Sequence, residues 1–105
     1  MTLAALFSTV SLLVTPAAVH PGAAVRVHGN AGDCPVGDAV TIISHAFAHT
    51  HDFAGVPAVF ARVRAGGAFS VRTTIPRTRA KGRYLVTARC GGGNLGIAAH
   101  LTVKP

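Results

Sequence analysis

The sequence predicts an all-β domain, built either as a two-sheet sandwich or as a small barrel. Half of the 105 residues are apolar, with five phenylalanines, one tyrosine and no tryptophan. Twelve glycines and six prolines place turn signals along the whole chain. Between the turns, apolar and polar residues alternate in short segments, which is the pattern of half-buried strands. About seven such strands must cover each other's apolar faces, so two packed sheets or a closed barrel is expected.

Each predicted strand is short and ends at a turn former. The segments are residues 10–15, 23–29, 38–44, 58–64, 69–75, 84–90 and 95–103. Residues 65–67, Ala-Gly-Gly, are predicted to form a hairpin turn between the fourth and fifth strands. Residues 45–57 are predicted to be a long connection that carries histidines. Because no internal repeat or linker interrupts this pattern, one domain is expected over residues 10–105.

The N-terminal segment is similar to the apolar part of a secretory signal. Residues 1–18 are apolar and end in small side chains, but a positively charged start is missing. The run is too short for a membrane-spanning helix with flanks. We expect residues 1–9 to be a tail or a signal-peptide remnant, and the fold to begin at Val10. Cleavage after Ala18 would remove the first predicted strand.

The two cysteines, Cys34 and Cys90, are predicted to form one disulfide. Their spacing fits neither a metal knuckle nor a redox pair. If the second and sixth strands lie on facing sheets and run in the same direction, the loops that follow them emerge at one end, where the cysteines meet. Such a bridge is worth roughly 4 kcal/mol in the chain-entropy model. Since it requires an oxidising compartment, a secreted or cell-envelope location is expected.

Three phrases of the sequence resemble bacterial immunoglobulin-like domains of secreted and cell-surface proteins from high-GC Gram-positive bacteria. Residues 14–29 have the opening pattern VTPxxVxPGxxVxVxG, residues 67–71 the pattern GxFxV, and residues 82–88 the pattern GxYxVxA. The resemblance covers residues 10–104 and implies an immunoglobulin-like Greek-key sandwich of about seven strands. It does not imply one function, because such domains serve as spacers, adhesion modules and docking units alike.

Tyr84 begins the sixth predicted strand at a position that resembles a tyrosine corner. In that arrangement the hydroxyl hydrogen-bonds back across the turn before its strand. The alternative is a core aromatic ring with a solvated hydroxyl. Both roles are structural.

A group of histidines in residues 45–52 is the candidate for site chemistry. In an extended chain, His49 and His51 lie on the same side, and His45 or Asp52 supplies a third ligand. Imidazole and carboxylate groups suit Zn²⁺ or Cu²⁺. The alternative is a polar loop whose histidines are solvated or cap turns. Apart from this possible metal, no cofactor is expected.

The charge balance points to an anionic partner. Ten basic residues against three acidic ones give a net charge of +7, and a strongly basic surface favours polyanions. The candidate contact residues lie in one connection and are Arg77, Arg79, Lys81 and Arg83. Nucleic acid is disfavoured, because no recognition helix or aromatic-interleaved motif accompanies these residues. The alternative is a basic surface that reflects solubility and codon composition alone.

No catalytic arrangement is expected from these residue types. Asp33, Asp38 and Asp52 form no convincing carboxylate pair, and the sequence has no nucleophile elbow. The expected function is therefore a non-catalytic extracellular or cell-envelope interaction module, with a protein or an anionic envelope polymer as partner. One alternative is a metal-binding secreted domain. Another is a small-ligand carrier, disfavoured by the single possible disulfide and the few aromatic residues.

Overall fold

A computed structural model of the chain describes residues 9–91 and 93–105. Its regular structure in these ranges consists of strands and one 3-10 turn. The strands are β1 (Val10–Thr15), β2 (Ala18–Val19), β3 (Ala24–Ala31), β4 (Ala39–Ile43), β5 (His51–Phe53), β6 (Val56–Arg62), β7 (Ala68–Thr74), β8 (Gly82–Cys90) and β9 (Gly93–Val103). Of the predicted tail, residues 1–8 lie outside the described part. Within that part, no helix is long and apolar enough to cross a membrane.

The strands form two sheets. The smaller sheet has the order β1-β3-β7, and the larger one has the order β2-β9-β8-β4-β6-β5. All pairings are antiparallel except that of β2 with β9, which is parallel. The chain passes from the smaller to the larger sheet at Pro16, directly after β1. The all-β class and its two sheets are therefore confirmed.

The core lies between the two sheets and is filled by the inward residues of their strands. The residues predicted to face inward on β3 and β4, which are Val25, Val27, Val40 and Ile42, are all buried. Phe69 on β7 is among the largest fully buried side chains. It brings the smaller sheet into close packing with the larger one.

The prediction of a hairpin at residues 65–67 is wrong. β6 belongs to the larger sheet and β7 to the smaller one, so the turn carries the chain between sheets. Gly66 and Gly67 have positive φ angles of 80° and 88°, a conformation that favours glycine. A side chain at Gly67 would also meet Asn30, since a Cβ would lie 2.6 Å from its Oδ1. Alternation assigns a strand's inward face but not the sheet to which the strand belongs.

The prediction of one long connection over residues 45–57 is also wrong in part. β5 and the first residues of β6 form a tight hairpin within it. Its turn residues, Ala54 and Gly55, have φ angles of 51° and 84°, and two positive φ angles are typical of a type I′ hairpin turn. Ala-Gly is not the usual residue pair for that turn, so the hairpin was not recognisable from the sequence. With β5 and the two-residue β2, the described part contains nine strands rather than about seven.

The disulfide between Cys34 and Cys90 is confirmed. It joins residues 56 positions apart, with their Cα atoms 5.9 Å apart. β3 leads into the loop that contains Cys34, and β8 ends at Cys90. The two strands belong to facing sheets and end on the same side of the molecule, as predicted. We call this side the disulfide end.

Candidate functional site

The basic connection between β7 and β8 lies at the opposite end of the molecule. Backbone hydrogen bonds hold the neighbouring loops together there, from Gly22 N to Ile75 O at 2.7 Å and from Ala48 N to Thr74 O at 3.0 Å. The C-terminal residues join the same end, because the amide of Lys104 donates to Val19 O at 2.7 Å. The exposed cations at this end are Arg77, Lys81, Arg83 and Lys104. We call these four residues the basic end.

Arg79 differs from the other basic residues predicted in this connection. Its Nη2 donates to Phe47 O at 3.1 Å and its Nε to Ala46 O at 3.4 Å. The side chain is half-buried, and Ala46 and Phe47 are fully buried. Arg79 therefore fixes the loop after β4, whereas Arg77, Lys81 and Arg83 face the solvent.

The hydroxyl of Tyr84 fixes the other side of the connection. It donates to the carbonyl of Ala80 at 2.7 Å, which is the contact of a tyrosine corner and favours that alternative over a solvated hydroxyl. The side chain of Arg77 packs over Gly22, where an added Cβ would lie 3.2 Å from Arg77 Cγ. The exposed cations are thus presented on a segment that is anchored on both sides.

The cations of the basic end have no carboxylate partners in the described part of the chain. Among the described residues, the carboxylate that contacts a basic side chain is that of Asp52, which lies against His49. Asp33 and Asp38 lie in the loop around Cys34, at the disulfide end. The disulfide end therefore carries carboxylates beside Arg62 and Arg64, whereas the described residues place no aspartate or glutamate beside the cations of the basic end.

The histidine group is only partly brought together. His49 Nε2 contacts Asp52 Oδ1, and both side chains are exposed. The ring of His51 instead lies edge-on to Phe60, with their centroids 4.9 Å apart. Within the described residues, no three of His45, His49, His51 and Asp52 bring ligand atoms within 4.8 Å of one another. Of the four predicted metal ligands, only His49 and Asp52 are in contact with each other in this structure.

A different group of metal-binding residue types does converge, at the disulfide end. Cys34, Asp38 and Cys90 have ligand atoms within 4.8 Å of one another. Both sulfur atoms belong to the disulfide, however. Because a metal binds the thiolate form of cysteine, this group offers one carboxylate and no soft ligand.

Aromatic residues are exposed on the outer face of the larger sheet, which the sequence reasoning did not identify. Phe53 and Phe60 are 37% and 43% exposed. The guanidinium carbon of Arg89 lies 4.8 Å from the centroid of the Phe53 ring, within the range of a cation–π contact. We call His51, Phe53, Phe60 and Arg89 the aromatic face.

The aromatic face depends on strand register. β4 pairs Thr41 with Phe60 on one side and with Arg89 on the other, so the three residues form a row across β6, β4 and β8. A groove of about 410 Å³ runs beside this row, lined by Ala39, Phe60, Ala61 and Arg62. Alternation within β6 could have predicted that Phe60 faces outward. The sequence did not show which strands lie beside β6, so the aromatic face as a whole could not be predicted.

Neither a protein-family model nor a curated protein matches this chain. Solved structures do resemble it. The alkylpurine DNA glycosylase AlkC of Pseudomonas fluorescens, bound to DNA containing an abasic site analog, has a TM-score of 0.59 and 20% identity over 90% of this chain. The chain spans only 29% of that glycosylase.

Macromomycin is also similar, with a TM-score of 0.57 and 13% identity. This match covers 91% of the present chain and 98% of macromomycin. Identities this low show a shared fold and nothing about a shared activity. The fold therefore occurs both as a part of a much larger enzyme and as the whole of a structure of similar length.

Proposed function

We propose that this protein is an immunoglobulin-like domain that acts as a non-catalytic interaction module outside the cytoplasm. Its basic end docks onto an anionic polymer of the cell envelope. The observation that carries the proposal is a set of exposed cations that have no aspartate or glutamate partner among the described residues. Arg77 and Lys81 lie on the anchored connection, Arg83 lies at the start of β8, and Lys104 follows β9.

The immunoglobulin-like assignment is supported by three features. A disulfide joins the facing sheets at the ends of β3 and β8. Tyr84 near the start of β8 makes the hydrogen bond of a tyrosine corner. After β1 the chain passes from the smaller to the larger sheet, where β2 pairs with the last strand, β9. The disulfide also supports a location outside the cytoplasm, where such bonds persist.

The anchoring of the connection supports binding by its cations. Arg79 and Tyr84 hold the backbone of residues 79–84 from both sides, so little chain entropy is lost when a partner is bound. The attraction acts over a Debye length of about 8 Å in physiological salt. Binding through this surface is therefore expected to weaken strongly as the salt concentration rises.

Retention of the protein on isolated cell wall tests the proposal. The double variant Lys81→Gln and Arg83→Gln should lower retention several-fold at low salt. The matched control, Arg62→Gln with Arg64→Gln, removes the same charge from the disulfide end, where Arg62 donates to Gly37 O at 2.7 Å. The parent should be released by several-fold higher salt.

Three outcomes would contradict the proposal. Equal losses in the two double variants would show that only net charge matters. Retention that ignores salt, or no retention, would leave the domain as a spacer. Preferential capture of duplex DNA, offered in the same assay, would replace the envelope polymer by nucleic acid.

A second candidate function is that of a small-ligand carrier, with the aromatic face as its site. The favouring observation is that the exposed ring of Phe60 lines a groove of about 410 Å³, and that a second exposed ring, Phe53, belongs to the same face. Small-molecule sites have volumes of roughly 300–1,000 Å³ and are lined mainly by apolar and aromatic groups. Arg89 adds a cation beside the rings, which suits a planar anionic ligand.

A fluorescent naphthalene sulfonate, such as anilinonaphthalene sulfonate, is a suitable probe of this second function. Binding by the parent should be lost in Phe60→Ala and retained in Leu13→Ala. Leu13 is a fair control because it is 54% exposed and lies on the smaller sheet. A parent that does not bind the dye, or equal binding by both variants, would remove the carrier function.

A further inference from the structure

Two arginines lie directly opposite each other on the outer face of the smaller sheet. Arg26 of β3 pairs in register with Arg72 of β7, and both are exposed. Opposed residues of an antiparallel pair have their Cβ atoms about 5 Å apart, so like charges at such positions destabilise the sheet. This pair therefore lowers stability unless an anion lies between the two guanidinium groups.

The rest of the smaller sheet offers no such anion. None of the residues in β1, β3 and β7 is acidic. In the part of the chain that the structure describes, the one carboxylate in contact with a basic side chain is that of Asp52, beside His49. The charge of Arg26 and Arg72 is thus left to solvent or to a bound ligand.

A groove beside Arg72 adds hydrogen-bond donors to this pair. It has a volume of about 340 Å³ and is lined by Ala24, Thr50, Val59, Arg72, Thr73 and Thr74. Threonine hydroxyls and the guanidinium fork are donors that match the oxygens of a phosphate group. The groove therefore places polar groups that an oxyanion can use beside Arg72, one member of the pair.

The cations continue from this pair toward the basic end. β7 ends two residues after Arg72, and Arg77 follows Pro76 in the connection. Five residues of extended chain span about 17 Å at most. Successive cations therefore occur along the strand direction, from the face of the smaller sheet around to the end of the molecule.

We propose that Arg26 and Arg72 grip one phosphate group, and that the partner is a linear polymer of phosphates that runs from this pair to Arg77 and the basic end. This inference rests on the proposed function and names the chemistry of its partner. A flat lipid surface meets either the sheet face or the end of the molecule, whereas a flexible chain bends around both. Each further contact along one chain becomes intramolecular, so affinity should increase with polymer length.

Isothermal titration with orthophosphate, tripolyphosphate and long-chain polyphosphate tests the inference. Affinity per chain should rise in that order. Arg26→Gln and Arg72→Gln should each weaken long-chain binding by roughly tenfold, as expected for loss of a charge-assisted contact. Arg64→Gln is the matched control, because it removes one exposed charge near the disulfide end. It should change the affinity by less than about twofold, since that charge lies away from the polymer path.

Two further measurements separate a shared grip from a general charge effect. If both arginines hold the same phosphate, the double variant should lose less than the product of the two single losses. Melting temperatures should stay constant or rise in the single variants, because the repulsion between the arginines is removed. A fall in melting temperature together with weak binding would assign the residues to folding instead, and would overturn the inference.

Other outcomes distinguish this inference from the proposed function. One such outcome is unchanged polyphosphate binding in Arg26→Gln and Arg72→Gln, with loss of binding in Lys81→Gln/Arg83→Gln. It would overturn the phosphate site at Arg26 and Arg72 but would still support binding at the basic end. Tighter binding to vesicles of anionic phospholipid, at equal phosphate concentration, would replace the polymer by a membrane. Normal polyphosphate binding without retention on cell wall would contradict the proposed function alone.

Discussion

The two ends of this domain are held by different means. At the disulfide end, a covalent bond joins the sheets, and the loop beside it carries Asp33 and Asp38. At the basic end, Arg79 and Tyr84 anchor the loops by hydrogen bonds to backbone carbonyls. Because a different set of residues stabilises each end, the comparison predicts that stability and polymer binding are largely separable.

The largest effect should come from the disulfide. Replacing Cys34 and Cys90 by serine removes a bridge over 56 positions, which should cost about 4 kcal/mol of unfolding free energy. Chemical denaturation measures this loss. Where the variant remains folded at low temperature, its binding to cell wall should match that of the parent. Loss of binding in a folded variant would show that the two ends are coupled.

A smaller effect is expected at Arg79. The change Arg79→Gln removes two hydrogen bonds to the loop that buries Phe47, at a cost of about 1–3 kcal/mol. Arg77→Gln removes the same charge from an exposed position and should leave the melting temperature unchanged. If Arg77→Gln destabilises the protein as much as Arg79→Gln does, the assignment of separate roles is wrong.

Tyr84→Phe should have a smaller effect still. It removes only the hydroxyl that donates to Ala80 O at 2.7 Å, a loss of about 1 kcal/mol. Binding to cell wall should fall modestly, because the cations of the basic end are then less well ordered. An unfolding free energy equal to that of the parent would mean that the tyrosine corner does not anchor the connection.

The smallest effect is expected from metal ions. His49 and Asp52 contact each other, but within the described residues no third histidine or carboxylate joins them. Calorimetric titration with Zn²⁺ or Cu²⁺ at neutral pH should therefore detect no site of micromolar affinity. A tight site that is lost in both His49→Ala and His51→Ala would instead restore the metal-binding alternative and would require the loop to rearrange.

Much of the fold was predictable because alternation and turn residues are local properties of the chain. The first strand has the predicted bounds, Val10–Thr15, and in β8 the buried residues Val86 and Ala88 alternate with more exposed ones, as the pattern predicts. The disulfide was predictable because the direction of the strands brings Cys34 and Cys90 to one side.

The properties that the sequence did not predict depend on which strands are neighbours. Alternation did not show that β6 and β7 belong to different sheets. The aromatic face and the opposed pair of Arg26 and Arg72 both arise from register across strands that are distant in sequence. The structural role of Arg79 depends on a loop that is distant in sequence, because its partners Phe47 and Ala46 lie 32 and 33 positions before it.

The larger sheet ends on both sides in very short strands, β2 with two residues and β5 with three. An exposed strand edge offers unpaired amide and carbonyl groups to another chain, and long flat edges lead to aggregation. In the described part of the chain, β2 pairs with only Thr102 and Val103 of the eleven-residue β9, so most of β9 has no strand partner on this side. A domain that is concentrated on a polymer, many copies side by side, therefore brings such open strand edges close together.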